Sequence, residues 1–383
     1  MSKIKELIER LCPDGVEYKK LGEVCVMQRG TSMTKKNAVE GDIPVISGGR
    51  EPAFYINQSN REGETITVAG SGAGAGYVQY WNEPIFVNDA FSVKGSDELL
   101  TKYVYYCMKN MQEQITGTQK GGGVPHVHIS SIDNFEIPVP PIEVQRKIVE
   151  ILDNFTELEA ELEAELEARR KQYEYYRNQL LTFDDTRSDV KWYKLNEIAN
   201  IYDGTHQTPD YKESGVKFAS VENIQNPFNT KKYISVEAYE KYKIKPQIND
   251  LLMTRIGSIG VCYVIDKNEA LAYYVSLALL RPNGDIINSR FLKYLLESSI
   301  GKRELNKRTL INAVPIKINK DDIGKVTIPI PPLEEQKRIV AILDRFEALT
   351  TDLQSGLPAE IEARRKQYEY YREKLLTFKR KTA

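Results

Sequence analysis

The eleven residues Glu-Ala-Arg-Arg-Lys-Gln-Tyr-Glu-Tyr-Tyr-Arg occur at positions 167–177 and again, unchanged, at positions 362–372. A second shared stretch precedes each copy, Ile-Pro-Val-Pro-Pro-Ile from residue 137 and Ile-Pro-Ile-Pro-Pro-Leu from residue 328. An internal repeat of this kind indicates a duplicated structural unit. The chain therefore divides into variable, constant, variable and constant parts, with the boundaries 1–136, 137–183, 184–327 and 328–383.

The constant parts are predicted to be long helices. From Ile148 to Leu180 apolar residues recur at steps of three and four, which marks one face of a helix. A helix of residues 142–181 would be about 60 Å long, and it is stable only if its apolar stripe is covered. We therefore predict that it pairs with the second copy as an antiparallel coiled coil. The stripe of the second copy comprises Ile339, Phe346, Leu349, Leu353, Leu357, Ile361, Tyr368, Tyr371 and Leu375.

The two constant parts differ at one place. Ser355-Gly356-Leu357-Pro358 in the second copy predicts a helix that stops and restarts, since Gly follows helix ends and Pro suits helix starts. The first copy instead has the tetrad Glu-Leu-Glu-Ala three times in succession, at 157–168. These residues are strong helix formers, so the first helix is predicted to be continuous.

The variable parts are predicted to be two mixed α/β domains with a common ancestry. Residues 64–68, 84–87 and 261–265 have the composition of strands, and residues 99–111 and 289–299 that of short helices. A fainter repeat also links the two parts. Its matches are 16–24 with 190–198, Gly30-Thr31 with Gly204-Thr205, Gly41 with Gly215, and Val124-Pro125 with Val314-Pro315. The predicted fold class is α+β, with a pseudo-two-fold internal repeat.

Composition places the chain among globular proteins, because 41% of its residues are hydrophobic and 28% are charged. The net charge of -1 argues against a simple basic DNA-coating protein, although residues 184–327 contain more Lys and Arg than Asp and Glu. The sequence contains no apolar run long enough for a membrane span and no secretory leader. The four cysteines are scattered. We therefore expect a cytoplasmic protein with reduced thiols and no membrane partner.

The sequence contains little that indicates catalysis. It has no P-loop, and the glycine run 70–76 lacks the GxGxxG spacing of a dinucleotide site. That run is predicted to be a turn or a loop that allows close backbone approach, for instance to DNA. Asn226-Pro227-Phe228 resembles an amino-methyltransferase motif but lacks its second proline, and is interpreted as a turn. His126 and His128 lack the further ligands that a metal site needs.

The doubled segments 329–346 and 356–372 and their first copies resemble the conserved regions of specificity subunits of type I restriction–modification systems. The resemblance covers almost the whole chain and is specific in the constant parts only. It implies that each variable part is a target recognition domain and that both together read a bipartite target in double-stranded DNA. In this family, tetrad repeats in the central helix are associated with the length of the unread spacer.

The resemblance also implies partners and cofactors. Two modification subunits would dock on the conserved helices and methylate adenine N6 with S-adenosylmethionine. Restriction subunits would add translocation and cleavage driven by ATP, with Mg²⁺. This chain would bind none of these cofactors and would not be an enzyme by itself.

Candidate DNA-binding residues are polar or basic residues in glycine-flanked or turn-like loops, and each has the alternative interpretation of a solvated surface residue. In the first domain they are Arg29, Thr31, Lys35, Lys36, Ser71, Gln119, Lys120 and His126. In the second they are Thr205, His206, Gln207, Tyr211, Asn223, Arg255, Ser258, Lys307, Arg308 and Asn312. Candidates for the subunit interface come from the repeated segment: Arg169, Arg170, Tyr173, Tyr176, Arg364, Arg365, Tyr368 and Tyr371.

Two alternatives remain open from the sequence. One is a coiled-coil interaction scaffold with two binding domains and no DNA role, and the other is a nuclease or methyltransferase that acts alone. Salt-sensitive heparin retention and selection of a bipartite DNA sequence would exclude the first, and inactivity of the purified chain would exclude the second. Arg255→Ala is predicted to weaken DNA binding. Charge reversal at Glu159, which the periodicity places away from the apolar stripe, is predicted to leave it unchanged.

Overall fold

The computed structural model describes residues 2–121, 123–183, 187–351 and 355–381. The chain forms two compact units, of which unit 1 comprises residues 1–163 and 360–383 and unit 2 comprises residues 164–359. Each unit therefore contains one variable part together with portions of the constant helices. In the described part of the chain, no helix is both long enough and apolar enough to cross a membrane.

The described residues of unit 1 form nine strands and five short helices ahead of a long one. The strands are β1 (Tyr18–Lys20), β2 (Cys25–Arg29), β3 (Ile43–Ile46), β4 (Tyr55–Ile56), β5 (Thr65–Ala69), β6 (Val78–Trp81), β7 (Phe86–Val87), β8 (Ala90–Gly95) and β9 (Glu136–Pro138). The helices are α1 (Ser2–Leu11), α2 (Leu21–Val24), α3 (Thr101–Asn110), α4 (Gln112–Gly117), α5 (Ile129–Ile132) and α6 (Ile142–Leu180), the last of which continues into unit 2.

A four-stranded antiparallel sheet, in the order β2-β8-β5-β6, forms the centre of unit 1. Its strands are rich in β-branched residues, and all five residues of β5 are buried. Helix α3 packs against β5, β6 and β8 and buries Tyr103 and Tyr106. A three-stranded sheet, β4-β3-β7, adjoins it, with β3 and β7 parallel. Large aromatic and aliphatic side chains are buried between α3 and the sheet, and their burial stabilises this unit.

Nine strands and five short helices are likewise found in the described part of unit 2. The strands are β10 (Lys191–Lys194), β11 (Ala199–Asp203), β12 (Val216–Ala219), β13 (Tyr233–Ile234), β14 (Leu251–Thr254), β15 (Cys262–Val264), β16 (Leu271–Tyr273), β17 (Leu277–Pro282) and β18 (Thr327–Ile330). The helices are α7 (Leu195–Ile198), α8 (Val236–Glu240), α9 (Ser289–Glu297), α10 (Ser299–Asn306) and α11 (Lys320–Gly324).

The two units share one topology. The four-stranded sheet of unit 2 has the order β11-β17-β14-β15, and its three-stranded sheet has the order β13-β12-β16 with β12 and β16 parallel. The short pair β1–β9 in unit 1 corresponds to β10–β18 in unit 2. The predicted duplication is therefore confirmed at the level of the fold, and so are the strands and short helices that the sequence predicted in both variable parts.

The constant parts are the predicted long helices. Helix α6 runs for 39 residues without a break through the Glu-Leu-Glu-Ala tetrads. The second copy forms two helices, α12 (Leu333–Thr351) and α13 (Leu357–Leu376). Ser355 and Gly356 lie in the turn before α13, and Pro358 is the second residue of that helix. The predicted restart is thus confirmed, and Pro occupies a position where its missing N–H costs no hydrogen bond.

Within unit 1, α6 and α13 run antiparallel. The ring of Phe155 lies 5.5 Å from that of Tyr371. Further along α6, Glu159 and Glu163 both pair with Arg365. Residue numbers rise along one helix as they fall along the other, which confirms the predicted antiparallel pairing. In unit 2, the continuation of α6 contacts α12, where the ring of Tyr176 lies 5.6 Å from that of Phe346.

Two expectations about these helices were wrong in detail. Glu159 does not point away from the partner helix, because its carboxylate accepts a hydrogen bond from Arg365 at 2.5 Å. That bond holds the pKa of Arg365 above its ordinary value. The apolar stripe is also not buried throughout, since Leu158 is 45% and Leu349 is 39% exposed. Leu353, which we assigned to the same stripe, lies outside the described residues.

The same buried glutamine stands near the start of α6 and of α12. Gln145 donates from Nε2 to the carbonyls of Glu98 and Pro140, both at 2.8 Å, and accepts from the N–H of Leu100 at 3.0 Å. Gln336 makes the equivalent three bonds in unit 2, two with the loop before α9 and one to the carbonyl of Pro331 before α12. Both side chains are fully buried. Each glutamine therefore ties a variable part to the start of a constant helix.

Candidate nucleic-acid interface

In unit 2, several loops leave the central sheet at one edge. Strand β11 ends at Asp203 and strand β14 ends at Thr254. Both ends lie beside the start of β17 at Leu277, because β17 runs antiparallel to the two strands. A fourth segment joins them through the N–H of Gly257, which donates to the carbonyl of Ile316 at 2.9 Å. We call this set the loop edge of unit 2; it comprises residues 204–215, 255–261, 274–276 and 307–317.

Unit 1 has the corresponding edge. Strands β2 and β5 end at Arg29 and Ala69, and β8 begins beside them at Ala90. Here the N–H of Gly72 donates to the carbonyl of Pro125 at 3.0 Å. The loop edge of unit 1 comprises residues 30–42, 70–77, 88–89, 119–121 and 123–128.

The first loop of each edge begins with the repeated Gly-Thr pair for a steric reason. A Cβ atom on Gly30 would lie 2.0 Å from the carbonyl oxygen of Asn88, and one on Gly204 would lie 2.4 Å from that of Tyr274. Only glycine permits such close backbone approach. The Gly30–Gly204 match that the sequence showed therefore marks the same departure of the chain from the sheet in both units.

The structure brings the first-domain candidates together on or beside the loop edge of unit 1. Lys35 and Lys36 form an exposed 3-10 turn in the first loop. Lys120 is exposed and, like these two, has no ion-pair partner among the residues that the structure describes. Gln119 differs, because its side-chain amide donates to the carbonyl of Ala75 at 2.8 Å. The remaining members are Arg29, at the end of β2, and Thr31, Ser71 and His126.

Two histidines form part of a small cavity at this edge. The rings of His126 and His128 are stacked, with centroids 6.0 Å apart and planes at 11°. They line a cavity of about 220 Å³ together with Arg29 and Asp89. The carboxylate of Asp89 accepts a hydrogen bond from the hydroxyl of Ser71. Across the described ranges, no group of three or more His, Cys, Asp or Glu residues is placed to hold a metal ion.

The second-domain candidates lie at or close to the loop edge of unit 2. Its first loop contains Thr205, His206, Gln207 and Tyr211, of which Thr205 and Gln207 line an open cavity of about 740 Å³. Asn223 lies in a 3-10 turn (Val221–Asn223) directly after β12, whose last residue is level with the end of β16. The other candidates belong to the two remaining segments: Arg255, Ser258, Lys307, Arg308 and Asn312.

Three of these basic residues already have partners within unit 2. Arg255 is 8% exposed; it pairs with Asp203 and donates from Nε to the carbonyl of Ile318 at 3.2 Å. Lys307 and Arg308 both pair with Glu304. Arg255 therefore holds the loop edge together, and the Arg255→Ala variant would test the fold of this edge as well as any contact with DNA.

Sequence reasoning missed two lysines that line the larger cavity. Lys241 and Lys243 flank Tyr242 in the segment between α8 and β14, and all three side chains border the cavity. The alternating run Lys-Tyr-Lys-Ile-Lys at 241–245 was the signal. Basic residues interleaved with an aromatic one are typical of nucleic-acid-binding surfaces. The run lies outside the glycine-flanked loops that contain the predicted candidates.

One contact between an arginine and a tyrosine recurs in both copies of the repeated segment. The guanidinium of Arg177 lies 5.0 Å from the Tyr173 ring, and that of Arg372 lies 5.1 Å from the Tyr368 ring. Tyr173 packs against the core of unit 2, and Tyr368 against that of unit 1. These tyrosines therefore support the fold of their own unit.

Another tyrosine, between the contacting tyrosine and arginine, is exposed to solvent in each copy. Tyr175 and Tyr370 are each 57% exposed. Among the other interface candidates, Arg170 is exposed, whereas Arg169 and Arg364 pair with Glu165 and Glu360 on their own helices.

Comparison with known proteins connects this architecture to one family. The family described as type I restriction modification DNA specificity domain matches the chain twice, over residues 13–168 and 187–363. The specificity subunit of the type I restriction enzyme EcoR124I/EcoR124II of Escherichia coli is 29% identical over 411 residues, covering 99% of this chain and 98% of that protein. A protein of Haemophilus influenzae named as a type I restriction enzyme specificity subunit is 30% identical over 382 residues, covering 95% and 96%.

Solved structures share the fold. The S subunit of a type I restriction–modification system from M. genitalium aligns with a TM-score of 0.60 at 18% identity, covering 94% of this chain and 96% of that one. A chain from a study of complex assembly and conformational transition of the type I system aligns with a TM-score of 0.62 at 20% identity, covering 94% and 97%. The chain therefore belongs to the type I restriction–modification DNA specificity family, as a specificity subunit.

Proposed function

We propose that this specificity subunit reads a bipartite sequence in double-stranded DNA, with one half-site contacted by the loop edge of each unit. The observation that carries the proposal is the shared topology of the two units combined with different exposed residues on the same edge. A common framework that holds variable loops suits the reading of two different sequences.

Recognition would divide between phosphate and base contacts. Exposed lysines such as Lys35, Lys36 and Lys120 would contact phosphates and give salt-dependent affinity. Exposed polar side chains such as Gln207 and Asn312 would contact base edges in the major groove. The net charge of -1 is compatible with this role, because a balanced total can coexist with unpaired lysines such as Lys35, Lys36 and Lys120 on a loop edge.

The repeated segment would dock two copies of the modification subunit. The identical sequence of the two copies, with the same Arg–Tyr contact in each, suits two identical partners. In unit 1, an apolar groove of about 350 Å³ between α6 and α13 adjoins this segment and is lined in part by Phe155, Leu158 and Tyr371. Its partly exposed stripe would be covered by an apolar helix of the partner. Exposed Tyr175 and Tyr370 would lie at the two docking sites.

The remaining activities would belong to those partners. Modification subunits would methylate adenine with S-adenosylmethionine, and restriction subunits would translocate and cleave DNA with ATP and Mg²⁺, in the cytoplasm. The chain itself would select the sequence without catalysing a reaction.

DNA reading is tested with the chain assembled with its modification subunits. Lys35→Ala/Lys36→Ala should weaken binding of the cognate duplex and reduce the slope of log affinity against log salt by roughly 1.8, since each phosphate contact contributes about 0.9. The matched control is Lys3→Ala/Lys5→Ala on α1, which removes the same charge away from the loop edge. Equal loss in both double variants would contradict the assignment of the edge, and absence of any selected bipartite sequence would favour a protein scaffold.

Spacer length is tested by deletion within the tetrads. Removing residues 161–164 shortens α6 by about 6 Å, close to the rise of two base pairs at roughly 3.4 Å each. We expect the preferred spacer in a methylation assay on graded targets to become shorter. An unchanged optimum would refute this role of α6.

Docking is tested by the mass of the assembled complex. Tyr175→Ala and Tyr370→Ala should each remove one modification subunit, and the double variant should remove both. Val26→Ser, which alters a residue 65% exposed on β2, is the control. Full assembly of the double variant would show that the repeated segment is not the docking surface.

A further inference from the structure

One loop of unit 2 displays an unusual set of apolar side chains to solvent. Val314 is 100% and Ile311 67% exposed, and Leu310 and Ile316 are 43% and 42% exposed. Single exposed aliphatic residues are common on protein surfaces and need no explanation. Four of them between residues 310 and 316 form an apolar tip, whose hydration is unfavourable until a partner covers it.

The base of this loop is held firmly. The N–H of Leu310 donates to the carbonyl of Lys317 at 2.8 Å, and the N–H of Ile318 donates to that of Arg255 at 3.0 Å. The buried Arg255 side chain bonds back to the carbonyl of Ile318. Because these bonds tie the loop to the segment after β14, the apolar tip is presented from a fixed position on the loop edge of unit 2.

Charge around the tip favours DNA as the partner. Between residues 302 and 320 the sequence contains six Lys or Arg residues and a single acidic residue, Glu304. Lys317 and Lys320 are exposed and form no ion pair within the described part of the chain. An apolar tip between cations is complementary to a duplex, in which phosphates flank the stacked bases. It is a poor match for the core of a protein interface, where lysine is depleted.

The corresponding loop of unit 1 lacks this tip. It is anchored in the same way, since the N–H of Lys120 donates to the carbonyl of His126 at 3.0 Å. The loop is one residue shorter and contains a run of glycines, and Val124 is its single large apolar residue with high exposure among those described. By hydrogen-bond position Pro125 corresponds to Ile316, so the matched Val-Pro pairs of the sequence are one residue out of structural register.

We propose that the loop 310–317 inserts Val314 and Ile311 between stacked base pairs of the half-site that unit 2 reads. This inference rests on the proposed DNA-reading function and adds that unit 2 deforms its half-site whereas unit 1 does not. Apolar side chains that enter a base step unstack and kink the duplex. Pyrimidine–purine steps deform most easily, so the half-site of unit 2 contains such a step at the point of insertion.

The test uses the chain assembled with its modification subunits on cognate duplexes. Each duplex carries 2-aminopurine at one position, either along the half-site of unit 2 or at the adenine to be methylated. The fluorescence of this base rises when it loses its stacking neighbours. The adenine position serves as an internal standard, because a DNA methyltransferase extrudes its target base independently of the proposed insertion.

With the unaltered chain, fluorescence should rise at one pyrimidine–purine step of this half-site as well as at the target adenine. Ile311→Ser/Val314→Ser should abolish the rise at the pyrimidine–purine step and keep the rise at the target adenine. It should also weaken binding of the cognate duplex roughly tenfold. Val236→Ser, at a position 56% exposed on α8, should change none of these readings. Both substituted loop residues are exposed, so the fold of unit 2 should persist, as far-ultraviolet circular dichroism would verify.

Three outcomes would overturn the proposal. Unstacking that persists in the double variant, or that is absent from this half-site in the unaltered complex, shows that the loop does not insert. Loss of modification subunits from the double variant without DNA shows that the tip docks a protein instead. Failure of the unaltered complex to select any bipartite duplex would refute the proposed function itself. This outcome differs from failure of the insertion proposal alone, because the fluorescence rise at the target adenine would then be missing as well.

Discussion

The buried glutamines Gln145 and Gln336 provide the sharpest test of how the constant helices hold the variable parts. Gln336→Leu removes a donor to two carbonyls and the acceptor of the Asn288 N–H. The site is fully buried, so water cannot replace these partners. Each unsatisfied group costs about 1–3 kcal/mol. We therefore expect the free energy of unfolding of unit 2 to fall by about 3 kcal/mol, and Gln145→Leu to lower that of unit 1 equally.

The two tryptophans allow each unit to be followed separately. Trp81 belongs to unit 1 and Trp192 to unit 2, and the chain contains no others. In a Trp192→Phe background, urea unfolding monitored by fluorescence reports on unit 1, and in a Trp81→Phe background on unit 2. Gln336→Leu should lower the midpoint reported by Trp192, and Gln145→Leu that reported by Trp81.

The control is Gln114→Leu, which makes the same chemical change at an exposed position of α4 and should alter stability by no more than about 0.5 kcal/mol. If Gln145→Leu and Gln336→Leu cost no more than this control, the three-bond arrangement contributes nothing, and the reasoning from buried hydrogen bonds is refuted.

Further predictions concern single contacts. A double-mutant cycle on Arg365→Ala and Glu159→Ala should give a coupling below about 1 kcal/mol that falls with added salt, because the pair is partly exposed. Gly204→Ala should destabilise unit 2 and impair binding, since its Cβ would collide with the Tyr274 carbonyl. Burial raises the pKa of Glu297, so its charged form is disfavoured in the fold and stability falls as pH rises through the carboxyl range. Glu297→Gln should remove that fall and increase stability at neutral pH.

Matched variants exist for each of these three measurements. Glu157→Ala removes an exposed charge that has no ion-pair partner in the described ranges. Gly117→Ala places a Cβ where no atom lies within 4 Å. Glu369→Gln neutralises an exposed carboxylate. Variants that behave like these controls would contradict, respectively, the interhelical pair, the close approach at Gly204 and the buried charge at Glu297.

The features that the sequence predicted correctly depend on neighbours in the chain. The stripe from Ile148 to Leu180 follows the period of one helix, and the tetrads at 157–168 are strong helix formers. The interruption before Pro358 follows from the backbone limits of Gly and Pro. Such effects act within a turn or two, so they can be inferred without knowing what lies opposite.

Contacts between residues far apart in the sequence could not be predicted in the same way. Glu159 was assigned to the solvent face from periodicity, yet Arg365 reaches it from a helix more than two hundred residues further along the chain. Lys241 and Lys243 were overlooked because nothing near them in the chain indicates that they line a cavity with the loop after β11. Similarly, the loops after β11 and β14 meet at one edge only because both strands pair with β17 in a fixed register.

By itself, the sequence determined the duplication, the two long helical parts and the family, because repetition and periodicity are properties of the chain read in order. The tertiary structure decided which polar residues remain free to meet a ligand. Arg255 and Lys120 are both basic residues of glycine-flanked loops, yet Arg255 is held by Asp203 while Lys120 is exposed and unpaired among the described residues. A charge is available for binding only where folding has brought no opposite charge beside it, and that depends on contacts between residues distant in the chain.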